Sequence, residues 1–271
     1  MVDFVTFTQR RWTGGIRFIQ GKFHAHLDPG PGAIVRSIDA GLSPQKVRAL
    51  FISHCHPDHY GDSETFLEAM TDGGTKKKGT LIAPRSVLYG NETCEASISK
   101  YHQGIIGKII EAKPKDNFNI EEFKIRVTKA VHTDPNTVGY CFELPKIGVI
   151  AYTSDTEYFE GIDEYYNGAR LMILCVLRPR GMPWKGHLST NDAVKILSSV
   201  KPEMAIITHF GMKMVLGNPE KEEVFINEHS KVPTKAAFDG MKVTIDDRGI
   251  ILNDKKSKEK QNNTYKQSKL N

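Results

Sequence analysis

The sequence predicts an α+β fold in which two β-sheets pack face to face and helices cover the outside. Three observations carry this expectation. The first half is rich in short apolar strands, helices mix with strands in the second half, and strands return at the end. Several polar residues follow directly on apolar strands, which puts them at one rim of the sheets, where open sheets usually carry ligands. The length of 271 residues, 39% hydrophobic and 25% charged, is ordinary globular composition and suffices for a substantial core.

Taken in order, Thr13-Gly14-Gly15, the run Ile16 to Ile19, and Gly21 followed by Phe23 to Leu27 read as a β-meander. It ends in the loop Asp28-Pro29-Gly30-Pro31-Gly32. Ser43-Pro44 opens a short helix, with serine as cap and proline at the first helical position. Ala49 to Ser53 is a buried strand, and a helix from about Ser63 to Thr71 follows. Thr80 to Ala83 is a strand. Phe123 to Val131 alternates and ends at His132. Val138 to Leu144 and Ile147 to Thr153 form a hairpin around Pro145-Lys146, the second strand running on to Asp155. Leu171 to Leu177 is an apolar strand. Thr190-Asn191-Asp192 caps a helix running to about Val200, Met204 to Thr208 is a strand ending at His209, and Asn218-Pro219-Glu220 starts another helix. Two more strands lie near Lys242-Val243 and Ile250 to Leu252.

Composition narrows the function classes. The formal net charge is +5, but residues 254–271 hold six lysines against one aspartate and one glutamate. That tail carries +4 and leaves about +1 on residues 1–253. A nearly neutral body has no electrostatic footprint for nucleic acid, which is not a favoured partner. The tail is rich in Lys, Asn, Gln and Ser, so the expectation is one folded domain over 1–253 and a disordered basic tail over 254–271. The longest apolar run, Leu171 to Leu177, is too short to cross a bilayer, and Met1 to Arg11 does not resemble a signal peptide. No membrane partner is expected. The four cysteines show no CxxC pairing and read as reduced thiols of a cytoplasmic protein. A homodimer is compatible with all of this.

The chemistry concentrates in His54-Cys55-His56-Pro57-Asp58-His59. Three imidazoles and a carboxylate within six residues suit zinc, manganese or iron. A turn after a strand can aim some of them at one cation and the rest at another, and Pro57 stiffens that turn.

His54-x-His56-x-Asp58-His59 resembles the signature of the metallo-β-lactamase superfamily. Leu27-Asp28-Pro29-Gly30, His132, Asp155 in Thr153-Ser154-Asp155-Thr156, and His209 in Ile206-Ile207-Thr208-His209 follow in the family's order, and the resemblance covers roughly residues 13 to 253. It implies an αββα sandwich with a dinuclear metal site at the sheet rim. His54, His56 and His132 would hold one divalent ion, Asp58, His59 and His209 the other, and Asp155 would bridge them. A carboxylate at Asp58 implies the complete two-metal form. The cofactors implied are two divalent ions, zinc first, with manganese or iron as alternatives. The activity implied is metal-dependent hydrolysis by a bridging hydroxide.

Gly186-His187-Leu188-Ser189-Thr190 resembles the corresponding segment of the superfamily's phosphodiesterase branch, which includes the tRNA 3′-processing nucleases and enzymes that open cyclic ribosyl phosphates. By that resemblance His187 is a catalytic residue that protonates the leaving oxygen or steadies charge on phosphorus, and Asp58, the other catalytic residue, orients the site as well as binding metal. The nucleases pair their histidine with a glutamate on the strand after the bridging aspartate, whereas Leu174-Cys175-Val176-Leu177 has no carboxylate. The gap from His132 to Asp155 is of hairpin length, with no room for the basic arm those nucleases carry there. The expected substrate is therefore a small or short phosphodiester. Hydrolysis of a lactone, ester or thioester by the same site is the alternative.

Arg178 and Arg180 flank Pro179 and read either as a solvated loop or as a bidentate clamp for a substrate anion. His24 and His26 share one face of an early strand and read as packing or surface residues. Cys55 reads as pointing into the core, and His102 as a surface residue.

Overall fold

The computed structural model describes residues 4–253. The first sheet has five strands in sequence order: β1 (Ile16–Gln20), β2 (Phe23–Leu27), β3 (Val47–Phe51), β4 (Thr80–Ala83) and β5 (Lys108–Glu111). β1 and β2 are antiparallel, and β2 to β5 are parallel. The first thirty residues thus make a two-stranded hairpin rather than a meander. The next strand lies parallel because a helical crossover precedes it.

Helices fill the connections. α1 (Phe4–Thr8) precedes β1, and α2 (Ala33–Asp39) and a 3₁₀ turn at Pro44–Lys46 join β2 to β3. α3 (Pro57–Tyr60) and α4 (Ser63–Met70) join β3 to β4, and α5 (Arg85–Tyr89) and α6 (Lys100–Ile105) join β4 to β5.

The second sheet has eight strands: β6 (Asn117–Ile120), β7 (Phe123–Lys129), β8 (Val138–Leu144), β9 (Gly148–Tyr152), β10 (Ala169–Arg178), β11 (Leu188–Ser189), β12 (Met204–Thr208) and β13 (Thr234–Ala236). They run β13-β12-β10-β9-β8-β7-β6, with β11 beside β10. α7 (Thr190–Val200), α8 (Met212–Gly217) and α9 (Pro219–Ser230) belong to this half. The hairpin β14 (Val243–Asp246) and β15 (Gly249–Leu252) closes the described chain.

Strand alternation sorts the apolar residues into three cores. Between the sheets, Phe51 meets Phe142 at 5.1 Å and Tyr140 at 5.4 Å, edge to face. The other face of the first sheet packs Leu50, Ile52 and Leu81 against Phe66, Leu67 and Met70 of α4. The other face of the second sheet packs Met172, Leu174 and Val176 against Ile196 and Leu197 of α7 and Ile226 of α9. Three cores between four layers make an αββα sandwich, as the sequence predicts. Each large side chain buried this way contributes roughly 2–3 kcal/mol.

α7 starts one residue earlier than read from sequence. Ser189 is its cap, accepting from Asp192 N, while the Asp192 carboxylate accepts from Ser189 N at 3.0 Å in a reciprocal capping box. Asn218 caps α9 as expected, accepting from Glu220 N at 3.0 Å. β5, β6, β13 and α6 have no counterpart among the elements expected from the sequence. No helix among the described residues is long and apolar enough to cross a membrane. The basic tail lies outside the described residues.

Candidate metal centre

Every predicted donor lies just beyond the C-terminal end of a strand. β3 delivers His54 to His59, β7 delivers His132, β9 delivers Asp155, and β12 delivers His209. α3 begins at Pro57 with His56 as its cap, so the short helix turns Asp58 and His59 inward. Three residues at this rim take left-handed backbone conformations: Asp28 (φ 50°), Ser154 (59°) and His209 (59°). Such conformations cost non-glycine residues of order 1–3 kcal/mol each and concentrate at functional sites.

The donors converge. His54 Nε2 lies 2.9 Å from His56 Nδ1, and His132 Nε2 lies 3.1 Å from the same nitrogen. His59 Nε2 lies 3.0 Å from His209 Nε2, and His209 Nε2 lies 3.5 Å from Asp58 Oδ2. His54, His56 and His132 form one group whose donor atoms all lie within 4.8 Å of one another, and Asp58, His59 and His209 form another. Asp155 touches both: its Oδ2 is 3.8 Å from His132 Nε2 and 3.7 Å from His59 Nε2, and its Oδ1 is 3.4 Å from His209 Nε2.

This arrangement fits divalent cations. Ring nitrogens of five imidazoles meet at 2.9–3.1 Å, and imidazole nitrogens gathered beside carboxylates are the donor set that zinc-type cations take. Asp58 Oδ1 and Asp155 Oδ1 are buried with no hydrogen-bond partner. Orphaned buried carboxylate oxygens are expensive unless a cation meets them. Burial opposes ionisation of Asp155, yet His209 and His59 beside it hold its carboxyl well below the usual range. Burial likewise opposes protonation of His59, but Asp155, Asp28 and Asp58 hold its pKa well above the ordinary imidazole value.

A second layer of polar groups aims these rings. Asp28 is 5% exposed and accepts four bonds: from Ser53 N at 2.7 Å, Ser53 Oγ at 2.7 Å, Tyr152 Oη at 2.7 Å and His59 Nδ1 at 2.8 Å. That fixes His59 with Nε2 toward the centre. His132 Nδ1 donates to Gly186 O at 2.7 Å. Asp134 ties the His54–His59 segment to α5 and the loop just after it, accepting from Cys55 N at 3.1 Å, Ser86 Oγ at 2.6 Å and Asn91 Nδ2 at 3.2 Å. The sequence reading gave neither Asp28 nor Asp134 a site role. The available signal for Asp28 was its place directly after an apolar strand, the same signature that marked the other donors.

His187 joins the centre. Its Nδ1 lies 3.5 Å from Asp155 Oδ2, and it forms a third group with His132 and Asp155. Burial pushes its imidazole down to about 4, against the pull of Asp155. The two arginines diverge. The Arg178 guanidinium stacks over Trp184 at 4.3 Å. Arg180 turns onto α9, stacking over Phe225 at 4.6 Å with Glu222 at 3.7 Å, away from the donor groups. His26 is buried, its ring 4.5 Å from Phe66 and its Nε2 2.8 Å from Gly14 O. Cys55 is half-buried, and His102 pairs with Glu64 at 3.0 Å and Glu68 at 3.4 Å.

Comparison with known proteins agrees with this geometry. An uncharacterized protein of Methanocaldococcus jannaschii is 40% identical over 89% of this chain and 90% of its own length. Ribonuclease Z of Staphylococcus carnosus is 27% identical over 44% of this chain and 39% of its own. The crystal structure of the metallo-beta-lactamase fold protein YhfI from Bacillus subtilis superposes with a TM-score of 0.69 at 18% identity, covering 83% of this chain and 88% of that one. Residues 25–210, which include every donor named above, match the beta-lactamase superfamily domain, and the chain belongs to that superfamily.

Proposed function

We propose that this metal-dependent hydrolase cleaves a small or short phosphodiester. The observation that carries the reading is His187, placed 3.5 Å from the carboxylate shared by two complete donor groups. Hydrolysis at a carbonyl has less need of a further basic group on the leaving side, whereas departure of an alkoxide from phosphorus benefits from one. The sequence similarity to a ribonuclease Z supports the same reading.

In this proposal His54, His56 and His132 hold one divalent ion, and Asp58, His59 and His209 hold a second, with Asp155 between them. Zinc suits these borderline donors best. When bound, the two ions supply Lewis acidity at phosphorus and activate water at neutral pH. Asp58 and Asp155 fix the charge and spacing of the site. Asp28 keeps the His59 ring in one tautomer, and Gly186 O does the same for His132. His187 offers a ring N–H to the leaving oxygen and steadies the charge that develops there. The catalytic unit spans residues 1–253, and the free thiols suit a reducing, cytoplasmic setting.

The test is hydrolysis of bis-p-nitrophenyl phosphate by protein loaded with zinc or manganese. His187→Ala should lose about a hundredfold in rate while its metal content, measured by elemental analysis, stays unchanged. Full retention of the rate would remove His187 from the mechanism. Turnover of lactones or thioesters alone, in a parallel panel, would replace the phosphodiester by a carbonyl substrate.

A further inference from the structure

The loop between β10 and β11 carries an aromatic ring that the reaction above does not use. Trp184-Lys185-Gly186-His187 forms a tight turn. His187 N donates to Trp184 O at 3.1 Å, and the two residues pair as an isolated antiparallel bridge. Residues directly opposite across such a pair project their side chains to the same face, with Cβ atoms about 5 Å apart. Gly186 supplies the left-handed conformation the turn needs (φ 78°), and a Cβ there would stand 3.0 Å from His132 Nδ1.

The loop that carries this turn is anchored at three points. Gly186 N donates to Glu157 Oε2 at 2.8 Å, Gly186 O accepts from His132 Nδ1 at 2.7 Å, and Gly181 N donates to Asn191 Oδ1 at 2.9 Å. His187 reaches toward Asp155 at 3.5 Å, and Trp184, its partner across the turn, shares the face from which His187 projects.

One face of the indole is taken by the Arg178 guanidinium at 4.3 Å, and Trp184 as a residue remains 49% exposed. Arg178 Nε is buried with no hydrogen-bond partner, so this arginine is held by stacking rather than by a carboxylate. A guanidinium stacked on one face orients the ring before any ligand arrives, and a preordered aromatic surface spares a ligand part of the entropy of binding.

We propose that Trp184, backed by Arg178, is the stacking platform for a flat heteroaromatic ring on the leaving alcohol, so that the substrate is a nucleotide-type phosphodiester. The inference rests on the phosphodiesterase reading of the metal centre. In the reaction it serves, the oxygen of water bonds to phosphorus, the P–O bond to the nucleoside-bearing alcohol breaks, and that alcohol leaves with a proton.

The experiment uses the metal-loaded full chain carrying Trp12→Phe, so that the remaining tryptophan, Trp184, reports by fluorescence. Adenosine 5′-monophosphate and ribose 5-phosphate are titrated, each read by quenching and by inhibition of bis-p-nitrophenyl phosphate hydrolysis. The nucleotide should quench Trp184 and inhibit at about tenfold lower concentration than the sugar phosphate. In separate variants, Trp184→Ala should erase the inhibition ratio and Trp184→Phe should keep most of it. Equal inhibition by the two ligands, or an unchanged ratio in Trp184→Ala, overturns the platform while leaving the reaction intact. A nucleotide preference that depends on Trp184, measured calorimetrically in protein inactive on every phosphodiester, overturns the reaction and keeps the platform.

Discussion

His54, His56 and His132 form a donor group of three imidazoles, whereas Asp58, His59 and His209 combine two imidazoles with a carboxylate. Their supports differ in the same sense. The first group leans on neutral partners: Ser53 Oγ at 3.0 Å from His54 Nδ1, Thr133 Oγ1 at 3.3 Å from His56 Nε2, and Gly186 O on His132. The second leans on the buried carboxylate of Asp28. Negative charge therefore gathers on one side of a centre whose two sides look alike in donor count. A dication meets stronger Coulombic attraction on the Asp58 side, and the all-imidazole side should exchange its ion more readily.

Asp155→Ala gives the largest effect, because this residue belongs to both sides. Metal content should fall on both, and phosphodiester hydrolysis should drop at least a thousandfold, corresponding to about 4 kcal/mol of transition-state stabilisation. Loss of only one equivalent of metal would mean that Asp155 serves one side alone.

Asp28→Ala comes next and should separate the two sides. It strands the donors of Ser53, Tyr152 and His59, costing about 3 kcal/mol of folding stability. It should also weaken metal binding 10–100-fold on the Asp58 side only, as read by chelator competition. Equal weakening of both sides would dissolve the asymmetry.

Gly186→Ala is the smallest. It forces a Cβ into a left-handed turn and against the His132 ring, costing about 1–2 kcal/mol in thermal denaturation. Its metal defect should appear on the all-imidazole side, and a defect confined to the Asp58 side would reverse the comparison.

Much of this centre was legible because its donors are local in sequence or follow directly on apolar strands. His54 to His59 span six residues, and β4 and β12 begin and end where their apolar runs do. The supports were not legible, because they are long-range. Asp28 collects Ser53, His59 and Tyr152 from three separate elements, and Asp134 reaches Cys55 across 79 positions. No local pattern encodes those distances. Arg178 and Arg180 look equivalent in sequence, yet the packing of α9 captures one while Trp184 captures the other. The exchange of Thr190 for Ser189 as cap has a simpler cause: two adjacent hydroxyls are chemically alike, and only the bond to Asp192 distinguishes them.

The donors come from both layers of the sandwich, His54 to His59 from the first sheet and His132, Asp155 and His209 from the second. A ligand gripping both layers is a rivet through the seam between them. At a thousandfold excess over its dissociation constant it adds about 4 kcal/mol to the folded state. Chelation should therefore loosen the contact between the two halves of the molecule as well as silence the site, so that resistance to protease and catalytic competence rise and fall together.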